Sequence, residues 1–546
     1  MVLEKREKGV AMSHRRSLPI VGRPPGPSYR NPPSIFNDVI GPVMRGPSSS
    51  HCAASVRIGR LARDLMDGRI ERVLVEFDPN GSLATTHTSQ GSDMGLFGGF
   101  LGWETDDDRM VDSARAVREA GIDVEFAIRN IGATHPNTYK LTLTGADVRH
   151  TMTAISTGGG MIEVVEIDGV EMSLGGDFYY VLVHTDADDV APLMDYVRRQ
   201  FTAERVVLYE GSGNQVIEIA AQVFPEESLF DQLRARFPVT RINRLSPVLP
   251  VLSRADLRVP YLTSEAMLEY NAEERLALWE LGVQYEMARG NLLRDDVLDK
   301  MRHIVRILRN SIAEGVAGTE FADRILGPQS GGFKRAMESG GLLDGGMLNR
   351  MILYVSAMME VKSAMGVIVA APTAGACATL PGAVMAAAEV MGRTEEDMTE
   401  AMLAAGMIGV FIAAHSSFAA EVGGCQAETG SGASMAAAAL VTLAGGTAEQ
   451  AVGAASVALQ NSLGMICDPV ANRVEVPCLG KNVMGAANAL SCANMLLAGY
   501  DPVIPLDEVI DTHHTVGNNI PCELRCTAQG GLSVTPTSRR LEQRLA

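Results

Sequence analysis

Eight cysteines are spread through 546 residues, and three of them stand where a chain turns rather than where it packs. Cys425 follows a glycine pair in Glu-Val-Gly-Gly-Cys-Gln-Ala-Glu. Cys467 opens Cys-Asp-Pro-Val, and Cys478 closes Val-Glu-Val-Pro-Cys eleven residues later. A cysteine in the middle of an apolar helix is ordinarily a small hydrophobe, which is the reading for Cys492 and for Cys377. Cysteines at turns differ, because irregular backbone can aim several thiolates and amide N–H groups at one point, as in a metal or iron–sulfur site. Spacing alone leaves both readings open. The sequence has no Walker-type phosphate loop, no HExxH and no CxxC pair. Nucleotide hydrolysis and the commonest zinc sites therefore lose support.

Two histidines also have a chemical setting. His51 follows Ser48, Ser49 and Ser50, whose hydroxyls and amides could hold a carboxylate, and an imidazole titrates near neutral pH. A lone histidine after a serine run is more often structural, so this pattern is suggestive only. His135-Pro-Asn137-Thr138 is the second candidate, with Asn137 and Thr138 as contacts for a carboxylate or an ammonium group. His87, His150, His184, His303, His415, His513 and His514 have no such context.

The elements that must carry these residues change character along the chain. Residues 35–175 alternate short β-rich runs, Val73 to Phe77 and Tyr139 to Thr144, with helical stretches such as Met110 to Ala120, which predicts an α+β domain. Residues 176–252 read strand (Tyr179 to His184), helix (Val190 to Phe201), strands (Arg205 to Glu210, Gln215 to Val223), helix (Glu226 to Phe237) and strand (Arg241 to Leu252). That βαββαβ order is the ferredoxin-like unit and looks like an ACT-type regulatory module. Residues 261–540 lose nearly all strand signals and read as an all-helical domain, from Glu265 to Arg289 and Val297 to Ala313 onward. Glycine pairs at 331–332, 340–341, 345–346 and 423–424 interrupt it where backbone could turn toward a site.

Composition bounds the function. With 46% apolar residues but only 5% aromatics, the cores must be built from Ala, Leu, Val, Ile and Met. A net charge of −18 opposes a polyanion-binding surface, so no nucleic-acid partner is expected. The apolar runs Met402 to Ala414 and Met435 to Ala444 fall short of a bilayer and read as core helices, so no membrane is expected. Residues 1–34 are basic and proline-rich without a signal-peptide core and read as a disordered leader, with Met12 as an alternative start. Sparse cysteines without an export signal imply a reducing, cytoplasmic setting and free thiols.

Taken together, the runs Ile40-Gly-Pro-Val-Met-Arg-Gly-Pro-Ser-Ser-Ser-His51, His135-Pro-Asn-Thr138, Ala370-Ala-Pro-Thr-Ala-Gly-Ala-Cys377, Glu421-Val-Gly-Gly-Cys-Gln-Ala-Glu428 and Cys467-Asp-Pro-Val470 through Cys478 closely resemble the iron–sulfur-dependent L-serine dehydratases. The motifs run in family order over residues 35 to about 535. The resemblance implies a fused form, with a β-type domain, the ACT-like unit and a helical α-type domain in one chain. It implies a 4Fe-4S cluster on Cys425, Cys467 and Cys478 but not Cys377, one iron open as a Lewis acid, His51 as base, a small amino-acid substrate and a homodimer. The implied reaction converts L-serine to pyruvate and ammonia.

Three positions depart from the pattern. Cys52 stands where threonine is usual, beside the proposed base. Gln90-Gly-Ser-Asp93 replaces His-Gly-Thr-Asp, and His87 is a conjectural substitute. Some relatives end in a cysteine that returns to the cluster, whereas this sequence ends in Ala546, leaving Cys522 and Cys526 as candidates for that place. Rival readings are β-elimination from threonine, cysteine or a larger hydroxy amino acid on the same scaffold, a pyridoxal-phosphate enzyme using Lys334 in Gly-Gly-Phe-Lys-Arg, and a non-enzymatic iron–sulfur or amino-acid sensor.

Overall fold

A computed structural model describes residues 31–545 apart from 212–213, so residues 1–30 of the expected leader lie outside the described residues. Asn31 to Ser34 are held against the protein: Tyr285 donates to the Pro33 carbonyl at 2.7 Å, and Asn31 donates to Asp177 at 3.0 Å.

The fold is mixed α/β, with sheets in the N-terminal half and helices beyond. Strict alternation shapes the first sheet: in Arg149–Gly158, His150, Met152, Ala154, Ser156 and Gly158 face inward and the residues between them are more exposed. Six strands lie in the order Asp123–Ile128, Arg72–Phe77, Thr138–Thr144, Arg149–Gly158, Met161–Ile167 and Val170–Leu174, the first pair parallel and the others antiparallel. Helices Ala54–Leu65 and Ser92–Phe100 cover it and touch through Gly59 and Gly99, where an added Cβ on Gly59 would fall 2.9 Å from the Gly99 Cα. That contact brings the segment carrying His51 close to the one carrying Gln90.

The middle unit forms a four-stranded antiparallel sheet in the order Val239–Leu245, Tyr179–Thr185, Asn214–Ala221 and Arg205–Gly211, with helices Ala191–Gln200 and Glu227–Arg236 on one face. Tyr179–Thr185 is apolar on both sides for a reason. Val181 and Val183 pack under the helices, while Tyr180 and Leu182 join the core of the first sheet. The last strand ends at Leu245 rather than Leu252: the Ser246 amide leaves the ladder for the Asp64 carboxylate at 2.7 Å, and Pro247 and Pro250 have no N–H to offer.

Beyond Pro260 the helical pattern holds, with one break. The stretch expected to be helical from Glu265 to Arg289 is two helices, Ser264–Glu274 and Leu278–Gly290. Asn271 causes the break, since its side-chain amide both accepts from Leu276 N and donates to Leu276 O and so competes with the helical ladder. The run Met402 to Ala414 belongs to a longer helix, Glu395–His415, which by length and composition could cross a membrane. The acidic first turn capped by Thr394 supplies the extra length, and 78% of its apolar window is buried in the protein, which makes it the central core helix.

Small residues set the helix spacing. Gly315 in Arg294–Ala317 lies against the Ala357 carbonyl of Met347–Ser363, and an added Cβ would collide with backbone. Gly315→Ala must part the two helices and should cost about 1–3 kcal/mol. Chemical denaturation would read this as a lower midpoint at unchanged slope. The two halves of the chain are joined by more than a linker. Val43–Met44 pairs antiparallel with Ile368–Val369, while Ile35 and Val39 lie against Gly406 and Gly409 of the central helix.

Candidate active site

Of the cysteines at turns, Cys425 and Cys467 pack together, while Cys478 packs in the main helical core within electrostatic reach of Cys425. Gly424, at φ 71°, occupies a position where a Cβ would sit 2.8 Å from the Met465 carbonyl oxygen, so only glycine lets the chain turn tightly into Cys425. Cys467 lies in a short extended bridge with Arg525, and Cys478 opens the helix Cys478–Leu497 after Pro477. All three are buried. Cys425 and Cys467 pack together with Ala420 and a further cysteine, Cys526. Hydrogen bonding to Cys425 and Cys526, followed by burial, pushes the Cys467 thiol up, while burial and then the neighbouring Cys425 push up that of Cys478.

Cations and a carboxylate surround this nest. Lys481 donates to the Ile466 carbonyl at 2.7 Å and to Asp468 at 2.9 Å. Buried Lys362 donates to the Val474 carbonyl, fixing the loop between Cys467 and Cys478. A Glu428 oxygen and the sulfurs of Cys425 and Cys467 all lie within 4.8 Å of one another. Thr373 donates to Glu428 at 2.7 Å, and Gly375 leaves room for it, since a Cβ there would be 2.6 Å from the carboxylate. Buried thiols at turns, with two ammonium groups to balance thiolate charge, form a soft donor set compatible with an iron–sulfur cluster.

His51 stands in the turn Ser49–Ala53 and is fully buried. Thr86 spends its hydroxyl proton on the Ser82 carbonyl at 2.6 Å, so its oxygen must accept from His51 Nε2 at 2.8 Å. The neutral ring therefore carries its proton on Nε2. Nδ1 is left as the basic nitrogen, 3.0 Å from Ser48 Oγ and 3.6 Å from Glu421 Oε1. Burial, with a smaller contribution from His87, lowers the imidazole to about 3, while burial and the charge of Glu428 push Glu421 up to about 7.

The other expected site residues divide. Asn137 is fully buried and accepts from Ser82 through Oδ1, while its side-chain amide approaches the Glu421 carboxyl. That side-chain hydrogen bond tempers the rise of Glu421 and places Asn137 beside the His51–Glu421 pair. His135 uses Nδ1 to accept from Asn137 N at 3.2 Å, and Thr138 donates to the His135 carbonyl at 2.7 Å, so both build the turn that presents Asn137. Ser49 accepts from Ala374 N at 3.2 Å and ties the serine run to the Ala-Pro-Thr-Ala-Gly segment. Ser50 is buried in the same turn.

The departures find places as well. Cys52 donates to the Arg45 carbonyl at 3.2 Å, and burial pushes its thiol up to about 12, so it sits inert beside His51. Gln90 is buried with Nε2 3.5 Å from Cys526 Sγ. His87 instead pairs with Asp93 at 2.7 Å and stacks on Phe126. Cys522 is exposed. Lys334 pairs at 3.9 Å with Glu338 one turn away on the helix Ser330–Glu338.

Sequence reasoning passed over Glu421 and Glu428 as site residues, although both lie inside a motif it singled out. A carboxylate four residues before Cys425 and another three after it were the available signal.

The geometry has counterparts among known proteins. The model of the serine dehydratase alpha chain family matches residues 273–533. A probable L-serine dehydratase alpha chain of Bacillus subtilis is 38% identical over 279 residues, covering 51% of this chain and 93% of that one. The L-serine dehydratase alpha chain of Peptoniphilus asaccharolyticus is 32% identical over 284 residues, 52% of this chain and 97% of that one. A probable L-serine dehydratase beta chain of Bacillus subtilis is 43% identical over 154 residues, 28% of this chain and 69% of that one. A buried nest of cysteines, a neutral histidine poised against a carboxylate, and likeness to both kinds of subunit within one polypeptide lead to the same place: this chain belongs to the serine dehydratase family.

Proposed function

We propose that this chain is an L-serine dehydratase that converts L-serine to pyruvate and ammonia, with a 4Fe-4S cluster held by Cys425, Cys467 and Cys478. The observation that carries the reading is Glu421. It stands 3.6 Å from His51 Nδ1 and only four residues before Cys425, so one short segment links the base to the cluster site.

When bound, the cluster supplies a Lewis acid through the iron that these three cysteines leave open, aiding loss of the β-hydroxyl. The remaining work falls to the chain. The His51–Glu421 pair takes the Cα proton; a carboxyl near pH 7 suits that task, because a base works best when its pKa lies near the working pH. Ser48 and Thr86 fix the imidazole on its two sides, so neither nitrogen turns away. The proton taken from Cα completes the departing water, and the pair returns to its starting state. The aminoacrylate released then tautomerises and hydrolyses without further help. Asn137, whose side-chain amide faces Glu421, is the donor proposed for the substrate carboxylate.

Anaerobically reconstituted protein should give equal pyruvate and ammonia from L-serine and show a broad visible absorbance that is lost in air. Absence of keto acid from serine overturns the reading. Gln90, where the resembled pattern has histidine, favours testing L-threonine and L-cysteine in the same assay, with sulfide as a further readout. The middle sheet, in its βαββαβ order, is read as an ACT-type module, and its edge strand Arg205–Gly211 suits pairing with a second copy. Light scattering that finds a monomer at assay concentration would overturn the dimer.

A further inference from the structure

We infer that the cavity beside Asn472 admits the amino-acid substrate to the buried site, with Arg539 taking its carboxylate and Asn472 its ammonium group on the way in; the inference rests on the dehydratase reading above. The need for such a mouth follows from burial. His51 is fully buried, and Cys425, Cys467 and Cys478 are each at most 4% exposed, so a small polar substrate needs a route from solvent. A cavity of about 320 Å³, within the usual range for ligand sites, is lined by Thr85, Asn472, Thr527, Gln529, Arg539 and Glu542, among others. Three of these residues adjoin the site along the chain. Thr85 precedes Thr86, which accepts from His51; Asn472 lies in the loop between Cys467 and Cys478; and Thr527 follows Cys526, which packs with Cys425 and Cys467.

One wall of the cavity is built onto the loop that joins Cys467 to Cys478. Leu532 N donates to Asp468 at 3.0 Å, Ser533 donates to the Pro469 carbonyl at 2.8 Å, and Ser538 on the helix Pro536–Leu545 accepts from Ala471 N at 2.7 Å. These bonds hold the helix beside the loop and set Arg539, the next residue, at the cavity. Arg539 and Glu542 stand three apart on one helix face and bring a guanidinium and a carboxylate to the same opening. Neither forms an ion pair among the described residues. Arg539 is exposed, so its pull acts on an approaching anion and is weakened by salt.

Asn472 supplies the complementary group. The loop turns here through two left-handed residues, Ala471 at φ 49° and Asn472 at φ 57°. Asn472 Nδ2 donates to the Thr85 carbonyl at 3.2 Å and so ties the loop to the half of the chain that carries His51. Its Oδ1 is buried and has no hydrogen-bond partner, in a residue only 8% exposed. Leaving an amide oxygen buried and unsatisfied is costly, and a ligand that donates to it recovers that cost. An acceptor on one side of the cavity and a guanidinium on the other match the ammonium and the carboxylate of an α-amino acid. A hydroxy acid without the amino group satisfies only the guanidinium.

The test compares anaerobically prepared full-length wild type with Arg539→Gln, Arg539→Lys, Asn472→Gly and, as a control, Arg540→Gln, whose guanidinium donates to Thr537 on the same helix. Iron and sulfide content, KM and kcat for L-serine at low and high salt, and inhibition by β-hydroxypropionate, which lacks the ammonium group, are measured. Arg539→Gln should raise KM about tenfold and weaken the inhibitor equally, with kcat and iron unchanged, because an attraction at the mouth is felt in binding rather than in the chemical step. High salt should narrow the gap from wild type, and Arg539→Lys should recover most of the loss. Asn472→Gly keeps the left-handed turn but removes the acceptor, so it should raise KM for serine while leaving the inhibitor's affinity as it was. Arg540→Gln should match wild type throughout. The inference is overturned if Arg539→Gln matches wild type in KM, if Arg540→Gln raises KM as much, or if the rise comes with loss of iron, which would make Arg539 a structural residue. Wild type that yields no keto acid from serine would instead overturn the dehydratase reading, and this inference with it.

Discussion

Cys425→Ala, Cys467→Ala and Cys478→Ala should each abolish the visible absorbance and the bound iron, and lower serine turnover by about a thousandfold or more, because a Lewis acid at the leaving oxygen is worth several kcal/mol of barrier. The effect should be this large because each of the three stands at a turn that presents its sulfur. Cys425 sits behind a left-handed glycine, Cys467 is pinned to Leu524, and Cys478 follows Pro477. Cys377 and Cys492 give the contrast. Both lie in the main helical core, as Cys478 also does, and burial pushes their thiols up to about 11. Cys377→Ala and Cys492→Ala should lose about 1 kcal/mol of stability by removing one buried atom, yet keep cluster and turnover. Iron and sulfide analysis on the five variants decides; full iron in Cys478→Ala with normal turnover would remove that residue from the ligand set.

The second large effect is expected at the base. His51→Ala and Glu421→Gln should lower kcat by about 10²- to 10⁴-fold, the usual contribution of a positioned proton acceptor, while leaving iron content and spectrum unchanged. The sign of the pH dependence follows from burial. Glu421 is raised to about 7, so its ionised form appears as pH rises through that value, and His51, lowered to about 3, stays neutral throughout. In wild type kcat/KM should therefore climb as pH goes from 6 to 8 and then level. In Glu421→Gln the residual rate should lose that inflection. Ser48→Ala should cost less than either, since Thr86 still holds the other ring nitrogen. A wild-type profile that is flat across this range would exclude Glu421 from the proton transfer.

Much of this was legible in the residues, and what was not has a common cause. Turn cysteines could be told from core cysteines because glycine and proline mark backbone that cannot continue a helix. The middle strands were legible because Tyr179–Thr185 and Asn214–Ala221 are short, apolar and β-branched between helical periods. The ends of elements were set by tertiary partners instead. Asp64 captures Ser246 from a distant helix, and Asn271 closes its own turn. The same holds at the site. Glu421 carries no local sign that it will face His51, and Gln90 reads as a lost histidine until Cys526 is seen against it. Pairings between residues hundreds of positions apart are set by how helices and sheets close on each other, which no window of sequence contains.

The two-residue ladder between Val43–Met44 and Ile368–Val369, with Ile35 and Val39 seated on Gly406 and Gly409, bears on what holds the two halves of this chain together. These contacts do not depend on the peptide that joins the halves. Were the two halves separate molecules, the same contacts would depend on concentration. Joining the partners turns that encounter into a folding step at a fixed effective concentration, set by a short tether. Cleavage within residues 253–263 should therefore leave the two pieces together, and dilution after cleavage measures how much of the active site's integrity the tether supplies.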